Sequence, residues 1–129
     1  MRLLLDTQVA LWWLSASPRL SKSSRALMAT SAPIVSVASI WEVAIKHRIG
    51  KLPVAPVRFR DEIRDAGMTV LPVSDEQVVA DSPLPASHTD PFDRLLVAIA
   101  VAEQVSLLTA DANLVALGKQ DARLPIRAA

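Results

Sequence analysis

The amino-acid sequence predicts an α/β domain built around a mainly parallel β-sheet. Short apolar segments that are typical of strands alternate with longer segments that are typical of helices, which is the pattern of parallel strands joined by crossover helices. The strand segments are apolar throughout, as expected when helices cover both faces of the sheet. The helix predicted at 91–104 is apolar on nearly all sides, which indicates deep burial.

The predicted elements follow one another without a repeat or a long linker, which favours a single domain over residues 1–129. Proline and glycine mark several helix ends, and a cluster of prolines after residue 82 marks a loop. The predicted order is strand Arg2–Leu5, helix 8–15, a helix from Ser17-Pro18 to about Thr30, strand Ile34–Val37, helix Ser39–Arg48, helix 57–66, strand Thr69–Val73, helix Ser74–Ala80, a helix from Asp90-Pro91 to about Gln104, strand Ser106–Thr109, helix Asp111–Gly118 and an edge strand Leu124–Arg127.

Composition excludes several classes of protein. The chain lacks cysteine, so a disulfide framework and cysteine zinc sites are excluded. The longest apolar run, at 95–102, is far shorter than the roughly 18 residues that span a bilayer. We therefore expect a cytoplasmic protein without a membrane segment. The formal net charge is only +1, and three basic clusters are interpreted first as solvated helix faces and second as nucleic-acid contacts: Arg19, Lys22 and Arg25; Lys46, Arg48 and Lys51; Arg58, Arg60 and Arg64.

Four acidic residues stand at strand ends or helix starts. Asp6 follows the first strand directly, and Asp111 follows the strand Ser106–Thr109. Glu42 and Asp93 lie near the starts of two predicted helices. Because ligand sites in open parallel sheets lie beyond the carboxyl ends of the strands, we expect all four carboxylates to converge there.

Each acid also has a structural interpretation. Ser39-x-x-Glu42 has the form of a capping box, and Asp90 is a candidate N-cap that places Asp93 at the third helical position. Asp111 is a candidate cap too, whereas Asp6 is the hardest to explain in this way. The joint placement of the four favours a shared pocket over four separate caps.

Carboxylates in one pocket repel each other, and a hard divalent cation such as Mg²⁺ or Mn²⁺ removes the repulsion. Such an ion binds phosphate oxygens and activates water, so phosphodiester hydrolysis is the natural chemistry. The sequence contains no P-loop, no dinucleotide-binding glycine motif and no nucleophile elbow.

Histidines and tryptophans are interpreted in two ways. His47 is expected at the surface, whereas His88 precedes Asp90 in a loop from which it can either approach substrate or serve the structure. The three tryptophans at positions 12, 13 and 41 are interpreted first as core or interface anchors and second as groups that stack on bases.

Four segments resemble PIN-domain ribonucleases, and specifically the VapC-type toxins of bacterial type II toxin–antitoxin systems. They are LLLDT at 3–7, SIWEVAIK at 39–46 with GKL at 50–52, HTDPFDRLLVAIA at 88–100, and LLTAD at 107–111. The resemblance implies a three-layer α/β/α sandwich, usually dimeric, with an antitoxin peptide near the acidic pocket. It also implies that the family's four acids, which serve both catalysis and metal binding, are Asp6, Glu42, Asp93 and Asp111, with Thr7 and Thr109 as their hydroxyl neighbours and Asp90 outside the metal's direct ligands.

The resulting hypothesis is an Mg²⁺- or Mn²⁺-dependent endoribonuclease that acts as a toxin and is held by a cognate antitoxin. Basic residues such as Lys46, Arg48 or Arg94 would hold the RNA backbone, although Arg94 is equally well explained as a structural ion pair. The alternative is a PIN-like module that binds RNA or protein without cutting. A phosphatase with Asp6 as nucleophile is disfavoured, because position 8 is glutamine. The RNA target, the number of metal ions, the identity of the antitoxin and the oligomeric state stay open.

Overall fold

The chain forms five strands and seven helices in the computed structural model, which describes residues 1–80 and 82–129. Strands and helices alternate as the apolar pattern of the sequence predicts. In chain order they are β1 (Arg2–Leu5), α1 (Thr7–Leu14), α2 (Lys22–Ala29), β2 (Ala32–Ser36), α3 (Val37–Arg48), α4 (Pro56–Asp65), β3 (Thr69–Leu71), α5 (Asp75–Val79), α6 (Pro91–Glu103), β4 (Ser106–Thr109), α7 (Ala112–Gln120) and β5 (Ile126–Ala128).

The five strands form one sheet in the order β3-β2-β1-β4-β5, and every neighbouring pair is parallel. From β1 the chain moves outward through β2 to β3, and it then returns to place β4 on the other side of β1. The order of the strands therefore reverses between β1 and β4. In doubly wound sheets, ligands bind at the carboxyl ends of the strands beside such a reversal.

Alternating side chains of the strands pack on opposite faces of the sheet. Leu3 and Leu5 of β1 join the core under α1 to α4, whereas Leu4 joins the core under α6 and α7. All three leucines are fully buried. The predicted three-layer α/β/α sandwich is thus confirmed.

The central turns of α6 carry five consecutive buried residues, from Leu96 to Ala100. The predicted deep burial of this helix is confirmed, and its position fixes the start of α6 beside the carboxyl edge of the sheet. Among the residues that the structure describes, no helix is long and apolar enough to cross a membrane.

Several element boundaries differ from the prediction. The helix expected from Pro18 begins at Lys22, because Ser21 is the N-cap and accepts from the Ser24 N–H at 3.1 Å. Helix α3 begins at Val37 rather than at Ser39, since Ser36 at the end of β2 caps it. The edge strand runs over Ile126–Ala128 rather than 124–127.

Candidate active site

The four predicted acids line a single cleft of about 430 Å³ at the carboxyl edge of the sheet. Asp6 and Asp111 reach it from the ends of β1 and β4, the two strands beside the reversal. Glu42 reaches it from α3, and Asp93 reaches it from the first turn of α6. The structure therefore brings together all four acids that the sequence placed at strand ends and helix starts.

Asp6 is held rigidly and is almost completely buried, with 7% of its surface exposed. Its Oδ1 accepts from the Val9 N–H at 2.7 Å, so it caps α1 after all. Its Oδ2 accepts from the Thr109 hydroxyl at 2.5 Å and from the Ala110 N–H at 3.3 Å. Burial raises the pKa of Asp6 and the nearby Glu42 raises it further, while the hydrogen bonds oppose the rise.

Glu42 is not part of a capping box, because α3 begins three residues earlier than that interpretation requires and Glu42 lies in the middle of the helix. The Thr7 hydroxyl donates to its Oε1 at 2.5 Å. Lys46, one helical turn later, contacts its Oε2 at 2.9 Å. Glu42 is therefore held from two sides and its side chain is only 14% exposed.

Asp93 pairs with His88, whose Nε2 lies 2.9 Å from its Oδ2. Burial raises the pKa of Asp93 to about 6; Asp90 and Asp111 add to the rise, and His88 opposes it. His88 thus serves to orient an acid of the cleft.

Arg94 donates to the carbonyls of Pro85 and His88, both at 2.9 Å, so it fastens the loop that carries His88 rather than forming the ion pair considered above.

Asp90 and Asp111 are helix caps as well as cleft residues. The Oδ1 of Asp90 accepts from the Asp93 N–H at 3.0 Å, and the Oδ1 of Asp111 accepts from the Leu114 N–H at 2.9 Å. The Thr109 hydroxyl accepts from the Asp111 N–H at 3.0 Å while it donates to Asp6, so it links two of the acids. The structural and functional interpretations of these acids are therefore compatible.

The cleft carries an excess of negative charge. Five carboxylates and two ammonium groups, those of Lys46 and Lys51, line it, which leaves a formal surplus of three negative charges. Oxygen ligands with such a surplus suit a hard divalent cation in chemical terms. However, no three acidic or histidine side chains of the described residues lie close enough together to hold one ion as they stand. Asp6, Asp90 and Asp111 each also accept a hydrogen bond from a helix N-terminus.

One wall of the cleft was not predicted from the sequence as part of the site. Gln8, Leu11 and Trp12 of α1 line it, together with Lys51 and Leu52 after α3. The spacing of Gln8 and Trp12, four residues apart on a helix that starts directly after Asp6, was the signal that could have placed both beside the acid. His47 is exposed as expected, and its Nδ1 lies 3.0 Å from the Leu52 carbonyl.

A larger cavity, of about 770 Å³, lies at the opposite edge of the sheet. It is lined in part by Arg2 and Glu103, which already pair with each other at 3.3 Å. By volume alone this cavity would be the candidate active site. The carboxylates that line the acidic cleft indicate that the active site lies at the other edge of the sheet.

An acidic cleft at the strand reversal of a parallel α/β/α sandwich defines the class of site that this chain carries. A sequence model of the PIN domain matches residues 3–120. The chain therefore belongs to the PIN-domain family, and the predicted resemblance is confirmed. A comparison with curated proteins finds no match.

Solved structures with the same fold come from bacteria and an archaeon. The chain is similar to a chain in the crystal structure of VapBC2 from Rickettsia felis bound to a DNA fragment from its promoter. The TM-score is 0.68 and the identity 14%, and the match covers 99% of this chain and 98% of that chain. It is similar to DNA-bound VapBC from Salmonella typhimurium, with a TM-score of 0.63, 14% identity and the same coverage of 99% and 98%. A domain of a functionally unknown protein from Methanocaldococcus jannaschii matches with a TM-score of 0.60 and 15% identity over 99% of this chain and 90% of that one. At these identities the matches show the shared fold.

Proposed function

We propose that the chain is an endoribonuclease that hydrolyses RNA phosphodiesters with Mg²⁺ or Mn²⁺, and that it acts as the toxin of a toxin–antitoxin pair. The observation that carries the proposal is the cleft that acids from four separate elements line together. Membership of the PIN-domain family and the fold shared with VapBC chains support it. In the proposal, Asp6, Glu42, Asp93 and Asp111 hold the cation.

Hydrolysis adds water across one P–O bond, so that phosphorus gains a hydroxyl and the leaving oxygen gains a proton. The chemistry that the cation supplies when bound is activation of water and neutralisation of phosphate charge. The residues of this chain fix the acids: Thr109 and the start of α1 hold Asp6, Thr7 and Lys46 hold Glu42, and His88 holds Asp93. Partners that orient metal ligands from behind in this way tune metal affinity and activity.

Purified protein is expected to cut single-stranded RNA in Mg²⁺ or Mn²⁺ and to lose the activity in EDTA. The reason is that the cleft has donors for a hard cation and a surplus of negative charge that would otherwise repel phosphate. Gel analysis of end-labelled RNA measures the rate, and a DNA strand of the same sequence shows whether the 2′-hydroxyl matters. Equal cleavage with and without EDTA would exclude the proposal.

The alternative function, binding of RNA or protein without cleavage, is favoured by one observation: among the described residues no three acids converge on one point. The same assay separates the two functions. Saturable RNA binding without cleavage in either metal would support the binding module.

Partners are part of the proposal. We infer a cognate antitoxin from the fold shared with VapBC chains and from the resemblance.

A second copy of the chain is inferred from an exposed apolar surface. Trp41 is 62% exposed, Val37 is 41% exposed one turn earlier, and Phe92 lies edge-on to Trp41 at 5.6 Å between the ring centroids. Large apolar groups at the surface are typical of interfaces.

Expression of the chain in a bacterial host is expected to arrest growth, because uncontrolled RNA cleavage stops protein synthesis. Co-expression of a small protein encoded beside its gene is expected to restore growth. Colony counts after induction measure both effects. Normal growth with the folded, active enzyme present would exclude the role of toxin while leaving the ribonuclease activity standing.

A further inference from the structure

The cleft is much larger than a metal ion requires. Its volume is about 430 Å³, whereas one water molecule in the liquid occupies about 30 Å³. Asp6 and Asp111 line the cleft from the ends of β1 and β4. A further set of lining residues forms what we call the α1 side, which comes from α1 and the turn after α3: Gln8, Leu11, Trp12, Lys51 and Leu52. None of these five residues is acidic, so their chemistry differs from that of the proposed metal ligands.

Trp12 has the properties of a stacking platform. It is half-buried, packs against the hydrophobic core and also lines the cleft. Its helix begins at Thr7, directly after the capping residue Asp6, so the backbone fixes the place of Trp12 in α1 relative to that acid. Leu11 and Leu52 extend the apolar wall around it. Bases of single strands stack on aromatic side chains in this manner.

Two lysines line the same cleft as Trp12, and the end of α3 fixes their backbone positions. The Lys51 N–H donates to the Lys46 carbonyl at 2.8 Å and the Gly50 N–H donates to the His47 carbonyl at 3.1 Å, which is a Schellman motif. Gly50 has a φ of +77°, a conformation that favours glycine. The two positions that this motif brings together are commonly apolar, but here both are lysines, and both line the cleft.

The two lysines differ in their partners. Lys46 contacts Glu42 at 2.9 Å. Lys51 is exposed and forms no ion pair with any residue in the ranges 1–80 and 82–129. The Lys51 ammonium group can therefore pair with an anion that binds in the cleft near Trp12.

We propose that the α1 side of the cleft is a nucleotide subsite in which Trp12 stacks on one unpaired base of the RNA and Lys51 contacts the phosphate attached to it. The inference rests on the proposed function, since it places the base beside the phosphate that the acids address. Gln8, one turn before Trp12, offers an amide that can donate to and accept from a base edge or a 2′-hydroxyl. Stacking requires a base that is free of a duplex, so the substrate is a single-stranded segment.

Binding is measured in the Asp6→Asn background with Mg²⁺ present, so that RNA is not cut. Fluorescence anisotropy of a labelled single-stranded oligoribonucleotide gives the dissociation constant. Substitution Trp12→Leu is expected to weaken binding about 5- to 150-fold, the fold-change that corresponds to loss of one base–aromatic stack. Trp12→Phe should retain most of the affinity, because a ring remains.

Trp13→Leu is the matched control, since Trp13 also packs against the core but does not line the cleft. A scan of single abasic positions completes a double-mutant cycle: one abasic site should weaken binding to the parent protein but not weaken binding to Trp12→Leu further. Equal losses for Trp12→Leu and Trp13→Leu, additive effects in the cycle, or no saturable binding by the parent protein would overturn the subsite. Loss of an antitoxin peptide's binding in Trp12→Leu with RNA binding unchanged would overturn it too.

The two proposals fail separately. If the wild-type chain does not cut RNA, the proposed function fails whatever the binding data show. If it cuts RNA and Trp12→Leu binds RNA as tightly as its parent, only the subsite fails.

Discussion

Asp6→Asn is expected to lower the rate of metal-dependent RNA cleavage by about 10²- to 10³-fold while the protein stays folded. Asp6 is the most deeply buried of the four acids and lies against the two central strands of the sheet. Neutralising it removes one negative ligand from the proposed cation site. A cation contributes several kcal/mol of charge stabilisation in the transition state, which corresponds to a rate loss of this size.

The cost of Asp6→Asn to stability is expected to be small, about 1–2 kcal/mol. An asparagine retains an oxygen that can accept from the Val9 N–H, and its amide can donate to the Thr109 hydroxyl. What is lost is the oxygen that accepts from both the Thr109 hydroxyl and the Ala110 N–H, so the hydroxyl must turn its hydrogen elsewhere and the Ala110 N–H loses its acceptor. Circular dichroism and urea unfolding measure this part of the prediction.

Asp65→Asn is the matched control, because it removes the same charge from an exposed position at the end of α4 that does not line the cleft. Cleavage rates are compared at saturating Mg²⁺ and again at saturating Mn²⁺. If Asp6→Asn cleaves as fast as the control, Asp6 does not belong to the catalytic machinery.

The sequence was sufficient to predict the α/β/α architecture, because each strand is marked by a short run of neighbouring apolar residues. The apolar runs at Leu3–Leu5 and Leu107–Leu108 have no polar residue to place outward, and such runs form only where both faces are covered. Asp6 follows the first run directly and Asp111 follows the second after Thr109 and Ala110, and parallel pairing brings both strand ends to one edge. The convergence of these acids therefore follows from topology and not from any detail of side-chain packing.

The partners of the acids could not be predicted in the same way. Glu42 was compatible with a capping box until the structure placed the start of α3 at Val37, since local patterns fix helix ends only to within a few residues. Its contact with Thr7 joins residues 35 apart in sequence, which no local pattern encodes. Trp12 was ambiguous for another reason: an aromatic residue at this helix position fits a core and a cleft equally well, and here it contributes to both.

Metal-free protein is expected to lose stability as the pH rises from 4 to 8, and Asp93 contributes to this loss together with Asp6, whose pKa burial also raises. The pKa of Asp93 is raised from 3.8 to about 6 in the folded protein, mainly by burial, so the folded state favours the protonated form. The resulting stabilisation is fully present below the unfolded pKa and is lost as the pH rises through about 6. A shift of this size corresponds to at most about 3 kcal/mol, and the 20% exposure of the side chain reduces the expected loss to about 1–3 kcal/mol.

Urea unfolding in EDTA at several pH values measures this loss as the difference between wild type and Asp93→Asn. The difference isolates Asp93, because groups such as Asp121, whose pKa is lowered by Arg123, contribute equally to both proteins. We expect wild type to lose stability relative to the variant as the pH rises; a flat or rising difference would contradict the raised pKa. Addition of Mg²⁺ or Mn²⁺ should stabilise wild type at pH 8 far more than at pH 4, because a cation that binds the ionised acids stabilises only the folded state.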